Sequence, residues 1–162
     1  MKIAVLSDSH DAVKKLEQAV TMANRRRCSH LLHLGDIISP YAARYLEKFA
    51  GDVTAVYGNC DGDKLALQRV FHDFGGQIHP PPHTLTLGEK RILLLHQPDL
   101  LDELTASGAF DWIFYGHLHE RKFRSVQNTR VLNPGEVAGL LEKPGFTQVD
   151  LEGNRWERVD LS

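Results

Sequence analysis

Cysteine is scarce in this chain of 162 residues, which contains only Cys28 and Cys60. Two cysteines are too few for a disulfide scaffold, and they lack the paired spacing of a zinc knuckle. Long apolar runs are missing as well. The first run, residues 3–6, is far shorter than a signal-peptide core or a membrane span. We therefore expect a cytoplasmic protein without a membrane partner.

An excess of positive charge is also missing. The net charge is −2, and the basic residues are scattered rather than clustered along one stripe. A dedicated nucleic-acid-binding protein is therefore not expected, although a nucleotide could still be a substrate. With 42% hydrophobic and 25% charged residues the composition is that of a globular protein. Because no repeat, linker or low-complexity tract interrupts the chain, we expect a single domain over residues 1–162.

Short apolar runs alternate with helical patterns in the first half of the chain. The apolar spacing predicts a helix over residues 12–26, and Ser39-Pro40 is a good start for a second helix that reaches Phe49. Five runs rich in strand-forming residues predict buried strands at 3–6, 31–34, 53–57, 92–95 and 112–115. This alternation of strand and helix is typical of an α/β protein.

The second half has a more antiparallel pattern. Residues 84–87 alternate before Gly88, which predicts a hairpin into the strand at 92–95, and a further helix is expected within residues 98–107. Asn, Gly and Pro turns separate four further expected strands, at 123–126, 130–132, 146–151 and 156–161.

Each of the five buried strands is followed by a residue that can bind metal: Asp8, Asp36, Asn59, His96 and His117. In open α/β sheets functional residues gather at the carboxyl ends of the strands, so these side chains are expected to converge. His10 and His119 each lie two positions beyond one of them, where an extended chain points both side chains the same way. The pattern therefore predicts seven ligands at one place.

Glycine precedes three of these residues, at positions 35, 58 and 116, where a sharp turn or close backbone contact is expected. Two carboxylates, four imidazoles and one amide suit manganese, iron, cobalt, nickel or zinc better than magnesium or calcium. Seven ligands are enough for two ions that share a bridging residue. Alone, each Asp could be a turn or cap residue and each His an interior hydrogen-bonded residue. The other five histidines are expected to have surface or structural roles.

The ordered blocks of the chain resemble those of the calcineurin-like metallophosphoesterases. The blocks that carry the resemblance are Asp8-Ser9-His10, Gly35-Asp36, Gly58-Asn59, His96 and Gly116-His117-Leu118-His119. The chain looks most similar to the small bacterial and archaeal phosphodiesterases of that family, through Gly58-Asn59-Cys60-Asp61 and Asn133-Pro134-Gly135. The resemblance covers nearly the whole chain and implies a four-layer sandwich, in which two mixed β-sheets are flanked by helices.

The resemblance also implies the ligands of two divalent ions, with manganese the first choice. One ion would be held by Asp8, His10, Asp36 and His119, and the other by Asp36, Asn59, His96 and His117. Asp36 would bridge the pair, and a hydroxide between the ions would attack a small phosphodiester or nucleotide-like substrate. Within the same class phosphomonoesters are the weaker alternative. Relatives are often oligomers, so a homo-oligomer is possible.

The candidate catalytic residues are Asp36, Asn59, Cys60 and Asp61. Many family members have His where this chain has Cys60, and because a thiol is a poor hydrogen-bond partner for oxygen we expect a preference for good leaving groups. Gln97 and Glu136 also depart from the family pattern and are expected to alter the mouth of the site. A different function stays open, since the retromer subunit of the same fold is mainly a protein-interaction scaffold with a degraded metal site.

Overall fold

Two mixed β-sheets lie face to face in the computed structural model, which describes residues 1–162. The first sheet has the strand order β11-β10-β1-β2-β3-β4, and the second has the order β5-β6-β7-β9-β8. The strands are β1 Lys2–Leu6, β2 His30–His33, β3 Asp52–Val56, β4 Gln77–His79, β5 His83–Leu87, β6 Lys90–Leu94, β7 Trp112–Phe114, β8 Arg121–Val126, β9 Thr129–Pro134, β10 Gly145–Asp150 and β11 Arg155–Asp160.

The helices cover the outer faces of the two sheets. They are α1 Val13–Arg25, α2 Pro40–Ala43, which continues as a 3₁₀ helix at Arg44–Lys48, α3 Lys64–Asp73 and α4 Leu101–Ala106. The largest apolar cluster joins the first sheet to α1, α2 and α3, while a small cluster joins the second sheet to α4. The predicted four-layer sandwich is thus confirmed, and the single-domain assignment stays a prediction. None of the helices combines the length and the apolar character that a membrane crossing requires.

A third apolar cluster fills the space between the sheets. Ile3, Val5 and Leu32 from the first sheet meet Trp112 and Phe114 from the second, and all five are fully buried. Strands β1, β2 and β3 are parallel neighbours, as are β6 and β7, so their carboxyl ends open at one edge of the sandwich. This packing brings the loops after these five strands together.

The second predicted helix differs from the observed one. Only Pro40–Ala43 is α-helical, and the next turn is a 3₁₀ helix. Ala43, Leu46 and Phe49 are buried at intervals of three residues. Because a 3₁₀ helix has three residues per turn, this winding turns all three side chains toward the core. The N-terminal prediction holds, since the Ser39 hydroxyl accepts a hydrogen bond from the Ala42 amide and Pro40 is the first helical residue.

Two elements were not predicted, helix α3 and strand β4. Asp63 caps α3 by accepting a hydrogen bond from the Ala66 amide, and Leu67, Val70 and Phe71 form its buried face. Strand β4 is three residues long, too short for an alternating pattern. The remaining predicted elements are present, with ends that differ by a few residues.

Candidate metal centre

The structure brings the seven predicted ligands together at the carboxyl edge of both sheets. Four follow strands of the first sheet and three follow strands of the second. Asp8, His10 and His119 have ligand atoms within 4.8 Å of one another, and so do Asp8, Asp36 and His96. Residues more than a hundred positions apart along the chain therefore share one small volume.

The donors expected for the first ion surround a shared space. His10 Nε2 lies 3.2 Å from His119 Nε2, 3.6 Å from Asp36 Oδ2 and 3.9 Å from Asp8 Oδ1. His119 Nε2 lies 3.7 Å from the same Asp8 oxygen. Each side chain thus directs a possible ligand atom to a common point.

The donors expected for the second ion converge in the same way. Asn59 Oδ1 lies 2.8 Å from His96 Nε2 and 3.0 Å from His117 Nδ1. His96 Nε2 lies 3.5 Å from Asp36 Oδ1, so the two oxygens of Asp36 face the two groups of donors. This is the geometry expected of a bridging carboxylate.

Asp8 provides the clearest indication of a cation site. Its side chain is fully buried, and Oδ2 accepts a hydrogen bond from the His117 amide at 3.0 Å. The other oxygen, Oδ1, is buried without a hydrogen-bond partner. Burial raises the pKa of Asp8 above its ordinary value. A buried, unpaired carboxylate oxygen is costly, and a cation among these donors would compensate it.

The other carboxylate, Asp36, is held in its charged form. Burial alone would raise its pKa, but hydrogen bonds from His96 and from the Cys60 amide outweigh that effect, and the pKa lies well below the ordinary value. The Cys60 amide donates to Asp36 Oδ1 at 2.8 Å. An ionised, oriented carboxylate is what a bridging ligand requires.

Five of the seven predicted ligands have a left-handed backbone that non-glycine residues rarely adopt. Their φ angles are 52° for Asp8, 41° for His10, 57° for Asp36, 67° for His117 and 56° for His119. Such conformations cost of order 1–3 kcal/mol each and cluster at functional sites. The concentration at these positions therefore points to function rather than to ordinary turns.

The glycines allow the loops to approach closely, as expected. A Cβ atom on Gly58 would lie 2.0 Å from Asp36 Oδ1, and one on Gly116 would lie 2.0 Å from the Ser7 hydroxyl. Gly35 has a φ of +102°, which a side chain would strain. Larger residues at these positions would push the proposed ligands apart.

Buried partners orient two of the histidines. His96 Nδ1 lies 2.8 Å from the Leu34 carbonyl, and His119 Nδ1 lies 2.7 Å from Glu136 Oε2. Because a carbonyl or carboxylate accepts the Nδ1 proton, Nε2 of each ring is left to bind a metal. Glu136 is fully buried, so the expectation that it alters the mouth of the site is wrong. Sequence reasoning noted its unusual identity but missed its position behind His119.

Asp61 has a positioning role instead of the expected catalytic one. Its Oδ2 accepts hydrogen bonds from the amides of Gly58 and Asp36, and its Oδ1 accepts from those of Ile37 and Ile38. Both oxygens are occupied and the residue is buried, so neither can contact a substrate. Asp61 instead connects the loop after β2 to the loop after β3.

Cys60 is exposed at the centre, and its sulfur lies within 4.8 Å of ligand atoms of His10 and Asp36. Partial desolvation of the thiol by the surrounding side chains, together with the nearby Asp36 carboxylate, raises its pKa. His33 is buried with Nε2 3.1 Å from the Ser9 hydroxyl, in agreement with a structural role. Gln97 is exposed and lines a cavity next to His96, where it can shape the mouth of the site.

Known proteins resemble this chain in sequence and in fold. A phosphodiesterase from Methanocaldococcus jannaschii is 30% identical, with 99% of each chain covered. The structure of an archaeal phosphodiesterase superposes with a TM-score of 0.94 at 28% identity, covering 99% of this chain and 100% of the other. The zinc complex of Vps29 from Entamoeba histolytica has the same fold, with a TM-score of 0.70 at 19% identity and 99% of each chain covered.

The profile of the calcineurin-like phosphoesterase superfamily domain matches residues 1–154, nearly the whole chain. Together with the ordered motifs and their convergence at one edge of the sandwich, this match confirms the resemblance drawn from the sequence. The chain belongs to the calcineurin-like phosphoesterase superfamily.

Proposed function

We propose that this phosphoesterase hydrolyses phosphodiesters with the help of two divalent metal ions. The convergence of seven side chains with nitrogen or oxygen donors, one of which is a buried Asp8 oxygen without a hydrogen-bond partner, carries the proposal. A diester is preferred to a monoester because the Methanocaldococcus jannaschii relative, similar over its full length, is a phosphodiesterase. The substrate would be small, since the net charge is −2 and the basic residues form no stripe of the kind that a nucleic-acid surface requires.

The residues at the centre fit such ions. Asp8, His10 and His119 would hold one, while Asn59, His96 and His117 would hold the other, and Asp36 would contact both. Carboxylate, imidazole and amide donors favour Mn²⁺, with iron, nickel, cobalt and zinc as alternatives. Bound divalent ions supply Lewis acidity toward phosphoryl oxygens and lower the pKa of bound water.

The chain's own residues set the geometry around the reacting phosphate. Asp61 fixes the loops that carry Asp36 and Asn59, and Glu136 fixes His119. Cys60 faces the site, but its raised pKa and weak hydrogen bonding make the thiol a poor proton donor to a departing alkoxide. We therefore expect aryl esters, whose leaving groups need no proton, to be hydrolysed faster than alkyl esters.

A non-catalytic interaction scaffold is the alternative, because Vps29 proteins have this fold. Only the similarity in fold favours this alternative. The complete donor set and the left-handed backbone of five of its members support catalysis, since a scaffold has no need for this strain. A cytoplasmic location is part of the proposal, and both cysteines are free, which suits a reducing compartment.

The test is metal analysis of the purified protein together with hydrolysis of bis(p-nitrophenyl) phosphate in the presence of Mn²⁺. We expect close to two ions per chain and turnover that Asp36→Asn abolishes. Asp52→Asn is the matched control, because Asp52 is an exposed carboxylate that pairs with His30 away from the centre. Absence of both bound metal and turnover in the wild-type protein would support the scaffold instead.

A further inference from the structure

A cavity of about 400 Å³ opens directly beside the proposed second metal position. Asn59 and His96 form part of its wall, so a group in the cavity would touch the same residues as the reacting phosphate. The volume is within the range of small-molecule pockets. A phosphodiester carries two ester substituents, and one of them can extend into this space.

Part of the cavity lining is apolar. Pro81, Pro82 and Leu100 line it and are exposed to solvent, with 69% of Leu100 accessible. Leu100 has a φ of 55°, a left-handed conformation directly before α4. Leu100 shares this lining with the two prolines, so the exposed apolar side chains are grouped rather than scattered, and strained backbone of this kind is found at ligand sites.

The polar residues of the cavity can pair with a neutral, hydrogen-bonding group. Lys64 offers donors, Asp99 offers acceptors and Gln97 offers both, and the single positive and negative charges balance. The Lys64 ammonium lies 5.5 Å from the centre of the Tyr57 ring, whose hydroxyl donates to the Lys64 carbonyl at 3.1 Å. The cation is therefore kept near the cavity wall.

We propose that this cavity binds one ester substituent of the substrate and selects a nucleoside over a simple alkyl group. A flat base would lie against the proline and leucine side chains, while its polar edge would pair with Lys64, Gln97 or Asp99. The inference rests on the proposed function, because it names the substrate class of the same site.

The kinetic test compares two diesters that release the same product, p-nitrophenol. They are thymidine 5′-monophosphate p-nitrophenyl ester and ethyl p-nitrophenyl phosphate, assayed with Mn²⁺. We expect the wild-type protein to prefer the nucleoside ester by about tenfold or more in kcat/KM, mainly through KM. Leu100→Ala and Lys64→Gln should reduce this preference severalfold while leaving the kinetics of the ethyl ester within about twofold of wild type.

Matched controls separate the cavity from the surface around it. Leu65→Ala removes a similarly exposed leucine, 72% accessible, that does not line the cavity, and Lys14→Gln removes an exposed cation on α1. Both should retain the full preference. Equal kcat/KM for the two esters in the wild-type protein, or equal loss of preference in the controls, overturns the proposal.

A binding measurement keeps this inference separate from the proposed function. In metal-free protein, thymidine 5′-monophosphate should shift the amide NMR signals of Lys64, Gln97 and Leu100, and Leu100→Ala should weaken those shifts. Shifts without turnover of either ester would overturn the proposed hydrolysis and leave the nucleoside site supported. No shifts at these amides would overturn the nucleoside site, whatever the kinetics show.

Discussion

Replacing Glu136 with Gln tests whether a buried carboxylate sets the ligand nitrogen of His119. In the wild-type protein one oxygen of Glu136 faces His119 Nδ1 at 2.7 Å, and the other accepts from the Leu141 and Glu142 amides. Burial raises the pKa of Glu136, but these hydrogen bonds outweigh it and the pKa is lowered, so the group is an ionised acceptor. Gln can keep the two backbone amides only by directing its NH₂ group at His119.

An NH₂ group facing Nδ1 would move the imidazole proton to Nε2, the nitrogen needed for the metal. Loss of such a supporting partner typically costs 10–100-fold in metal affinity, or about 1.4–2.8 kcal/mol. We expect this loss for one of two Mn²⁺ ions, measured by electron paramagnetic resonance titration. Histidine ¹⁵N shifts should show the changed tautomer of His119.

Glu142→Gln is the matched control, because the carboxylate of Glu142 pairs with Arg121 at the surface and faces no proposed ligand. It should bind both ions as the wild-type protein does. If Glu136→Gln binds two Mn²⁺ ions with unchanged affinity and an unchanged His119 tautomer, the reasoning about Glu136 is refuted.

Three further predictions concern the site, the core and the pH dependence. Gly58→Ala would place a methyl group 2.0 Å from an Asp36 oxygen and should reduce kcat/KM about 100-fold or more. Gly62→Ala is the control and should retain activity, because the space around Gly62 is open. Equal activity of the two variants would contradict the argument. Phe114→Ala removes a fully buried side chain between the sheets and should lower the free energy of unfolding by about 3–5 kcal/mol. A denaturant titration measures this loss, and a loss below about 1 kcal/mol would argue against the packing described. Hydrogen bonds from a lysine and an arginine lower the pKa of Asp160 from 3.8 to about 2, so its contribution to stability is present above pH 3.8 and is lost as the pH falls through 2. Asp160→Asn should therefore lose less stability than wild type between pH 4.5 and pH 2, and an identical loss in both proteins would disprove this.

The positions of the proposed ligands were readable from the sequence because they depend on a local pattern. Each lies just beyond a short apolar run that forms a strand. Because neighbouring parallel strands run in the same direction, their carboxyl ends lie at the same edge of the sheet. Gly58 and Gly116 carried a further signal, since a polar residue preceded by glycine indicates a close turn. The family resemblance supplied the fold, which periodicity alone would have left at α/β.

The supporting residues were not readable because their roles depend on contacts distant in sequence. Glu136 is separated from His119 by strands β8 and β9, and nothing near position 136 indicates that it is buried behind the histidine. Asp61 looked like part of a reactive block, yet its partners Ile37 and Ile38 lie in another loop. Helix α3 did carry a local signal, because Asp63 is a good cap residue and Leu67, Val70 and Phe71 follow it at helical spacing.

The division of the donors between the two sheets links ion binding to folding. Neither half of the sandwich contains a full set, because four donors follow strands of one sheet and three follow strands of the other. A chain whose halves have separated would bind the ions weakly, so binding should favour the closed sandwich by RT ln(1 + [L]/Kd) for each ion. Chelation should accordingly lower the melting temperature, and thermal resistance in the cell would follow the supply of free metal.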